Sequence, residues 1–141
     1  MVKVNHIDHV AIAVPSAAEA TSNLVGLFGL RATAPEHVAS QKTDVVFLHA
    51  GQDHTAIELI CPSGNASLQR FLDKKGPGLH HICFDVSNLT DAIAQLKAAG
   101  VPLIDEVPRP GARGHMVAFL HPKATGGVLF ELCQKGEGGN P

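Results

Sequence analysis

The chain of 141 residues has no tryptophan and no tyrosine, and it lacks any long run of like charge. A formal net charge of −2, spread along the length, gives none of the electrostatic footprint of a nucleic-acid binder. Its apolar runs are only strand-length, which excludes a helical membrane span. The start, "MVKVNHIDHV", has no basic segment followed by an apolar core, so neither a secretory signal nor a transit peptide is read there. A soluble, cytoplasmic protein with no nucleic-acid or membrane partner is expected. Cys61, Cys83 and Cys133 form no C-x-x-C pair and fall in or at the end of predicted strands. They are expected to be buried free thiols of a reducing compartment, not a disulfide framework. What the chain does have is histidine, nine of them, and a length suited to a single domain with a sizeable core.

The histidines acquire meaning from an internal repeat. "HVAIAVPSA" from His9 and "HICFDVSNL" from His81 stand 72 residues apart, and at the same shift "VVFLH" (Val45–His49) falls on "VAFLH" (Val117–His121). One residue further, "ELIC" (Glu58–Cys61) falls on "ELCQ" (Glu131–Gln134), with the extra residue absorbed in the turn "HPKATGG". Each half reads as strand, helix and three strands. In the first half the strands are 5–14, 31–38, 44–50 and 55–61; in the second they are 79–86, 102–106, 115–121 and 127–133. The helices "AAEATSNLVGLFG" and "NLTDAIAQLKAAG" each end at glycine, with Ser16 and Ser87 near their N-caps. Gly51 and Gly126–Gly127 mark hairpin turns. The expected fold is α+β: tandem βαβββ modules at 4–62 and 78–134, with mostly antiparallel curved sheets enclosing a metal site. A helical linker occupies 63–77 and a frayed tail 135–141.

Strand parity selects the site. In "HVAIAV", His9, Ala11 and Ala13 share one face, and Val10, Ile12 and Val14 the other, which is expected to pack under the helix. In "HICFDV", His81 has the parity of His9, whereas His80 matches Asp8 and points away. Glu58 and Glu131 are opposite in parity to the bulky neighbours of their strands. Each module therefore offers one histidine and one glutamate on its small-residue face. A carboxylate amid strand hydrophobics is costly unless it is paired or bound to a cation. If the two faces meet, imidazole and carboxylate together suit a borderline divalent ion such as Zn, Co, Mn, Ni or Fe and leave positions open for substrate.

These features resemble the vicinal-oxygen-chelate superfamily, which includes glyoxalase I and the extradiol dioxygenases. Within it, "LQRFLDKKGPGLHH", "GLHHICFDV" and "GVPLIDEVPRPGARGHMVAFLHPKATGGVLFELCQ" are similar to the methylmalonyl-CoA epimerase family. The similarity runs from about residue 5 to residue 134 and is strongest after residue 66. The resemblance implies a divalent metal (Co, Zn, Mn, Ni or Mg) held by His9, His81 and Glu131, with Glu58 in the place of a fourth ligand. It implies an acyl-CoA substrate, a homodimer, and interconversion of (2R)- and (2S)-methylmalonyl-CoA by proton transfer at C2, with Glu131 also acting as a base. Inversion needs a base on each face of the planar intermediate.

The sequence departs from the family pattern at the second base. Where the family carries a glutamate, a gapless count from Gly29–Leu30 to "VVFL" reads "ASQK", which puts Ser40 there and Gln41 beside it. An unassisted serine hydroxyl is too weakly basic for this proton at neutral pH. Glu36 or His37 would require a rearranged loop. A single-base relative (a glyoxalase-like isomerase or a lyase) and a non-catalytic binding member therefore stand beside epimerisation. Ser40, Gln41, Arg113 and His115 are candidate substrate contacts, the last two in the Gly- and Pro-rich "PRPGARGHM". Lys123 is a weaker candidate for a CoA phosphate. His6, His37, His49, His54 and His121 are read as structural or exposed.

Overall fold

The computed structural model describes residues 1–136, so most of the expected tail, 137–141, lies outside the described residues. In chain order the elements are β1 (His6–Ala13), α1 (Ala17–Phe28), β2 (Arg31–Ala32), β3 (Glu36–Val38), β4 (Thr43–His49) and β5 (Ala56–Pro62). There follow α2 (Ala66–Lys75), β6 (Gly78–Asp85), α3 (Leu89–Ala98), β7 (Arg109–Pro110), β8 (Met116–Phe119) and β9 (Leu129–Gln134). The fold is α+β, as the repeat requires. None of the described helices is long and apolar enough to cross a membrane.

The chain separates into two compact units, His9–His80, and Met1–Asp8 together with His81–Pro141. In the His9–His80 unit, β1 runs parallel to β5 with His9 opposite Ala56, and β4 lies antiparallel to β5. The short strands β2 and β3 both pair with β4. Its core, Val14, Val46, Leu48 and Leu59, packs against Ile12, Leu24 and Val25 beneath α1. The bulky face of β1 therefore goes under the helix, as parity predicts. Ser16 caps α1 by accepting from the Glu19 amide, and Gly29 ends it in the left-handed conformation. Asn65 caps α2 and also donates to the Gln41 carbonyl, which ties the linker helix to the turn before β4.

The other unit repeats the plan. β6 runs parallel to β9 with Cys83 opposite Glu131, and β8 lies antiparallel to β9 with Phe119 opposite Glu131. Leu89, Ala92 and Ile93 of α3 pack on Val86, Ala118 and Leu132. The first residues of the chain belong with this second half: the Asn5 amide donates to the Asp85 carbonyl, and its side chain donates to Asp85 and Ser87.

Three details differ from the sequence expectation. The α3 cap is Asn88, because the Ser87 hydroxyl is engaged by Asn5 while Asn88 accepts from the Asp91 amide. The expected strand 31–38 is interrupted before β3, with Pro35 in the gap supplying no backbone donor. Residues 102–106 form only one bridge, Leu103 to Leu120. There the Ile104 and Asp105 amides both donate to the Phe119 carbonyl, and the Asp105 carboxylate takes the Phe119 amide. β7 follows downstream instead.

Candidate functional site

Each unit contains one buried histidine–glutamate pair at matching places in its sheet. In the His9–His80 unit, His9 begins the β1–β5 register and Glu58 lies across from Phe47. His9 Nε2 and Glu58 Oε1 are 3.3 Å apart, and the Phe47 ring meets the imidazole edge-on at 5.6 Å. In the other unit His81 Nε2 and Glu131 Oε1 are again 3.3 Å apart, with Phe119 edge-on to the imidazole at 5.2 Å. All four polar side chains are buried. The repeat is thus realised as a geometry of three residues, histidine, glutamate and phenylalanine, built twice.

The donor chemistry fits a divalent cation. Two ligands each about 2.1 Å from one ion, at angles near 90–105°, lie about 3.0–3.4 Å apart. The observed 3.3 Å falls within that edge length in both pairs and just beyond the usual reach of an N–H···O bond. A neutral imidazole offers a nitrogen lone pair, the carboxylate offers oxygen, and burial makes an uncompensated carboxylate costly. The phenylalanine edges restrict how each imidazole can turn.

The remaining predicted residues divide into two groups. Ser40 lies on an exposed 3₁₀ turn, Ala39–Gln41, and Gln41 is half-buried with its carbonyl accepting from Thr43 and Asn65. Glu36 faces Val45 across β3 and β4, and His37 is paired with Asp44 at 2.7 Å. Arg113 and His115, by contrast, turn inward. Arg113 Nη2 donates to Asp8 Oδ2 at 2.5 Å, and His115 is buried. His80, the other half of the doubled histidine, stacks edge-on with Phe71 of α2, away from the His81 pair.

Residues 8–119 match the Glyoxalase/Bleomycin resistance protein/Dioxygenase superfamily. The mitochondrial methylmalonyl-CoA epimerase of Dictyostelium discoideum is 39% identical over 135 residues, covering 94% of this chain and 80% of that protein. The chain belongs to the methylmalonyl-CoA epimerase family. An ethylmalonyl-CoA/methylmalonyl-CoA epimerase of Cereibacter sphaeroides is 37% identical, covering 93% of this chain and 98% of that protein. The crystal structure of methylmalonyl-CoA epimerase from Mycobacterium tuberculosis superposes with a TM-score of 0.90 at 31% identity, over 95% of this chain and 90% of that one.

Among epimerase-like features, sequence reasoning missed three. Phe47 and Phe119 stand in the repeated "VVFLH" and "VAFLH", so their recurrence was the available signal. Asp8 has no repeat counterpart beyond His80, and nothing local announces its ion pair with Arg113. Cys83 and Cys133 are buried thiols, as expected, but they are hydrogen-bonded to each other, and Cys133 is also hydrogen-bonded to His115. Burial first, then the bond with Cys133 and the nearby Glu131 carboxylate, push the Cys83 thiol well above the usual range.

Proposed function

We propose that this chain is a metal-dependent epimerase that interconverts the (2R) and (2S) forms of methylmalonyl-CoA or a closely similar 2-substituted malonyl-CoA. The observation that carries the reading is the duplicated pair, His9 with Glu58 and His81 with Glu131, each at 3.3 Å and buried. Membership of the family supplies the substrate class. His9, Glu58, His81 and Glu131 are assigned as the residues that hold the ion. When bound, a divalent cation supplies Lewis-acid stabilisation of the charge that develops on the thioester oxygen.

The chain's own groups handle the proton. A C2–H flanked by a thioester and a carboxylate is weakly acidic, and Glu131 is assigned to remove or return that proton. Phe119 and His81 hold the Glu131 side of the site dry and oriented, which strengthens every charge interaction there. Ser40, Gln41 and Arg113 are assigned as substrate contacts, and a homodimer in the cytoplasm is part of the proposal. Ser40 itself favours a second reading. A hydroxyl in place of the family's carboxylate leaves Glu131 as the one assigned base, which suits a single-base isomerase or lyase of the same superfamily.

Conversion of (2S)-methylmalonyl-CoA into its (2R) epimer, followed by chromatographic separation of the intact thioesters, which are diastereomers because coenzyme A is itself chiral, tests the reading. Racemisation by the metal-loaded protein, lost on chelation and restored by cobalt or zinc, is expected. Retention of configuration with metal bound, together with turnover of a glyoxalase-type hemithioacetal, would transfer the site to the second reading.

A further inference from the structure

A second set of buried donors lies in the unit made of Met1–Asp8 and His81–Pro141, and the epimerase reading uses none of it as metal ligands. Asp8, Cys83, His115 and Cys133 are all buried, with at most 2% of each exposed. Donor atoms of Asp8, His115 and Cys133 lie within 4.8 Å of one another, and a donor of Asp8 is equally close to that of Cys83. The two thiols are hydrogen-bonded to each other and Cys133 to His115. Four polar groups from four separate stretches therefore meet in one water-excluded place: the start of β1, the middle of β6, the end of β9 and the residue before β8. Burying so many polar groups together is costly unless they serve a common partner.

The geometry points to a second, thiolate-containing metal site, with Asp8, Cys83, His115 and Cys133 as a closed four-ligand set for a zinc-class divalent ion. The donor types decide the class. Two sulfurs, one imidazole and one carboxylate favour Zn or Co over Mg or Ca, and four protein ligands with no open position are the pattern of a structural site. Charge also closes. On loading, two S–H bonds are exchanged for two S–metal bonds and two protons pass to solvent. Two thiolates and the Asp8 carboxylate then face the ion and the Arg113 guanidinium, which already donates to Asp8. Three negative charges meet three positive ones. Tetrahedral sites of this kind have ligand edges of about 3.3–3.8 Å, so binding draws the donors of Asp8, His115 and Cys133 closer by at most about 1.5 Å.

Such an ion has a definite structural consequence. Cys83 follows His81 by two residues on β6, and Cys133 follows Glu131 by two on β9. A cross-link at the cysteines fixes the two strands that carry His81 and Glu131. It also fixes the "GARGH" loop, where Arg113 adopts a left-handed backbone at φ 59°.

Cobalt alone, added anaerobically to the purified full chain, tests the site, since only a thiolate ligand gives an intense sulfur-to-cobalt charge-transfer band in the near ultraviolet. The expected result is that band, with a second equivalent of metal beyond the His/Glu set and loss of the band on adding zinc. Cys133→Ser and His115→Ala are each expected to lose one equivalent together with the band. His9→Ala is expected to lose an equivalent while keeping the band, so failure of the two sites is told apart. A cobalt-saturated wild-type protein with no such band overturns the proposal, and so does a band unchanged in both variants. Should those variants fail to fold, X-ray absorption of the zinc-loaded wild type decides. Sulfur scatterers at about 2.3 Å support the site, and nitrogen and oxygen neighbours alone overturn it.

Discussion

Glu131 and Glu58 stand opposite Phe119 and Phe47 across their hairpins, and each is 3.3 Å from a buried imidazole. Glu131→Gln removes the assigned base and is expected to lower kcat by about 10²–10⁴-fold in a steady-state epimerisation assay. His81→Ala is expected to lower the metal content of the purified protein. His80→Ala is not, because His80 packs on Phe71 of α2. Ser40→Glu, which restores a carboxylate on the 3₁₀ turn, is expected to raise the epimerisation rate; a rate unchanged or lower would remove that turn from the proton path. Among the thiols, Cys61 is half-exposed, with Sγ donating to the Pro15 carbonyl, and is expected to alkylate first in native protein. Cys83 and Cys133 are expected to react only on unfolding. The four residues assigned as ligands were legible in the sequence because strand parity and a shift of 72 or 73 residues select the same pair, one histidine and one glutamate, in each half. Asp8 was not legible. Its partner Arg113 is 105 residues away, and no local pattern announces an ion pair that tertiary packing alone creates.

At the scale of elements, helix ends and turns hold the strands in place. Asn65 caps α2 and also bonds to Gln41 and Thr43, whereas Ser16 at α1 only caps. Asn65→Ala is therefore expected to lower stability by more than the ~1 kcal/mol typical of a lost cap, and Ser16→Ala by about that amount or less, as read from urea unfolding. A Cβ at Gly111 would stand 2.7 Å from Val117 Cγ1. Gly111→Ala is thus expected to displace the loop that carries Arg113 and His115, with a loss of stability of order 1–3 kcal/mol. Helices and most strands could be read from apolar periodicity and glycine stops. The second-half stretch 102–106 could not. "VPLIDEV" alternates like a strand, but Pro102 has no amide to give and Asp105 spends its carboxylate on the Phe119 amide. Asn88 displaced Ser87 as the α3 cap for a similarly non-local reason, the distant Asn5 side chain.

At the scale of the whole molecule, duplication accounts for most of what the chain is. In each unit the first strand runs parallel to the last, and the same three-residue arrangement stands at equivalent places. The repeat is not perfectly respected by the chain, since residues 1–8 join the second unit. No periodicity predicts that exchange, because it rests on hydrogen bonds from Asn5 to residues 80 and more positions away. The central claim is that this arrangement moves the proton on C2 of a malonyl-type thioester. Its most direct measurement is deuterium wash-in at C2 of methylmalonyl-CoA in heavy water, read by mass spectrometry alongside chiral separation of the product. Metal-dependent incorporation of one deuteron accompanied by inversion is expected, both suppressed in Glu131→Gln. Metal-loaded, folded protein that incorporates no deuterium would contradict the claim.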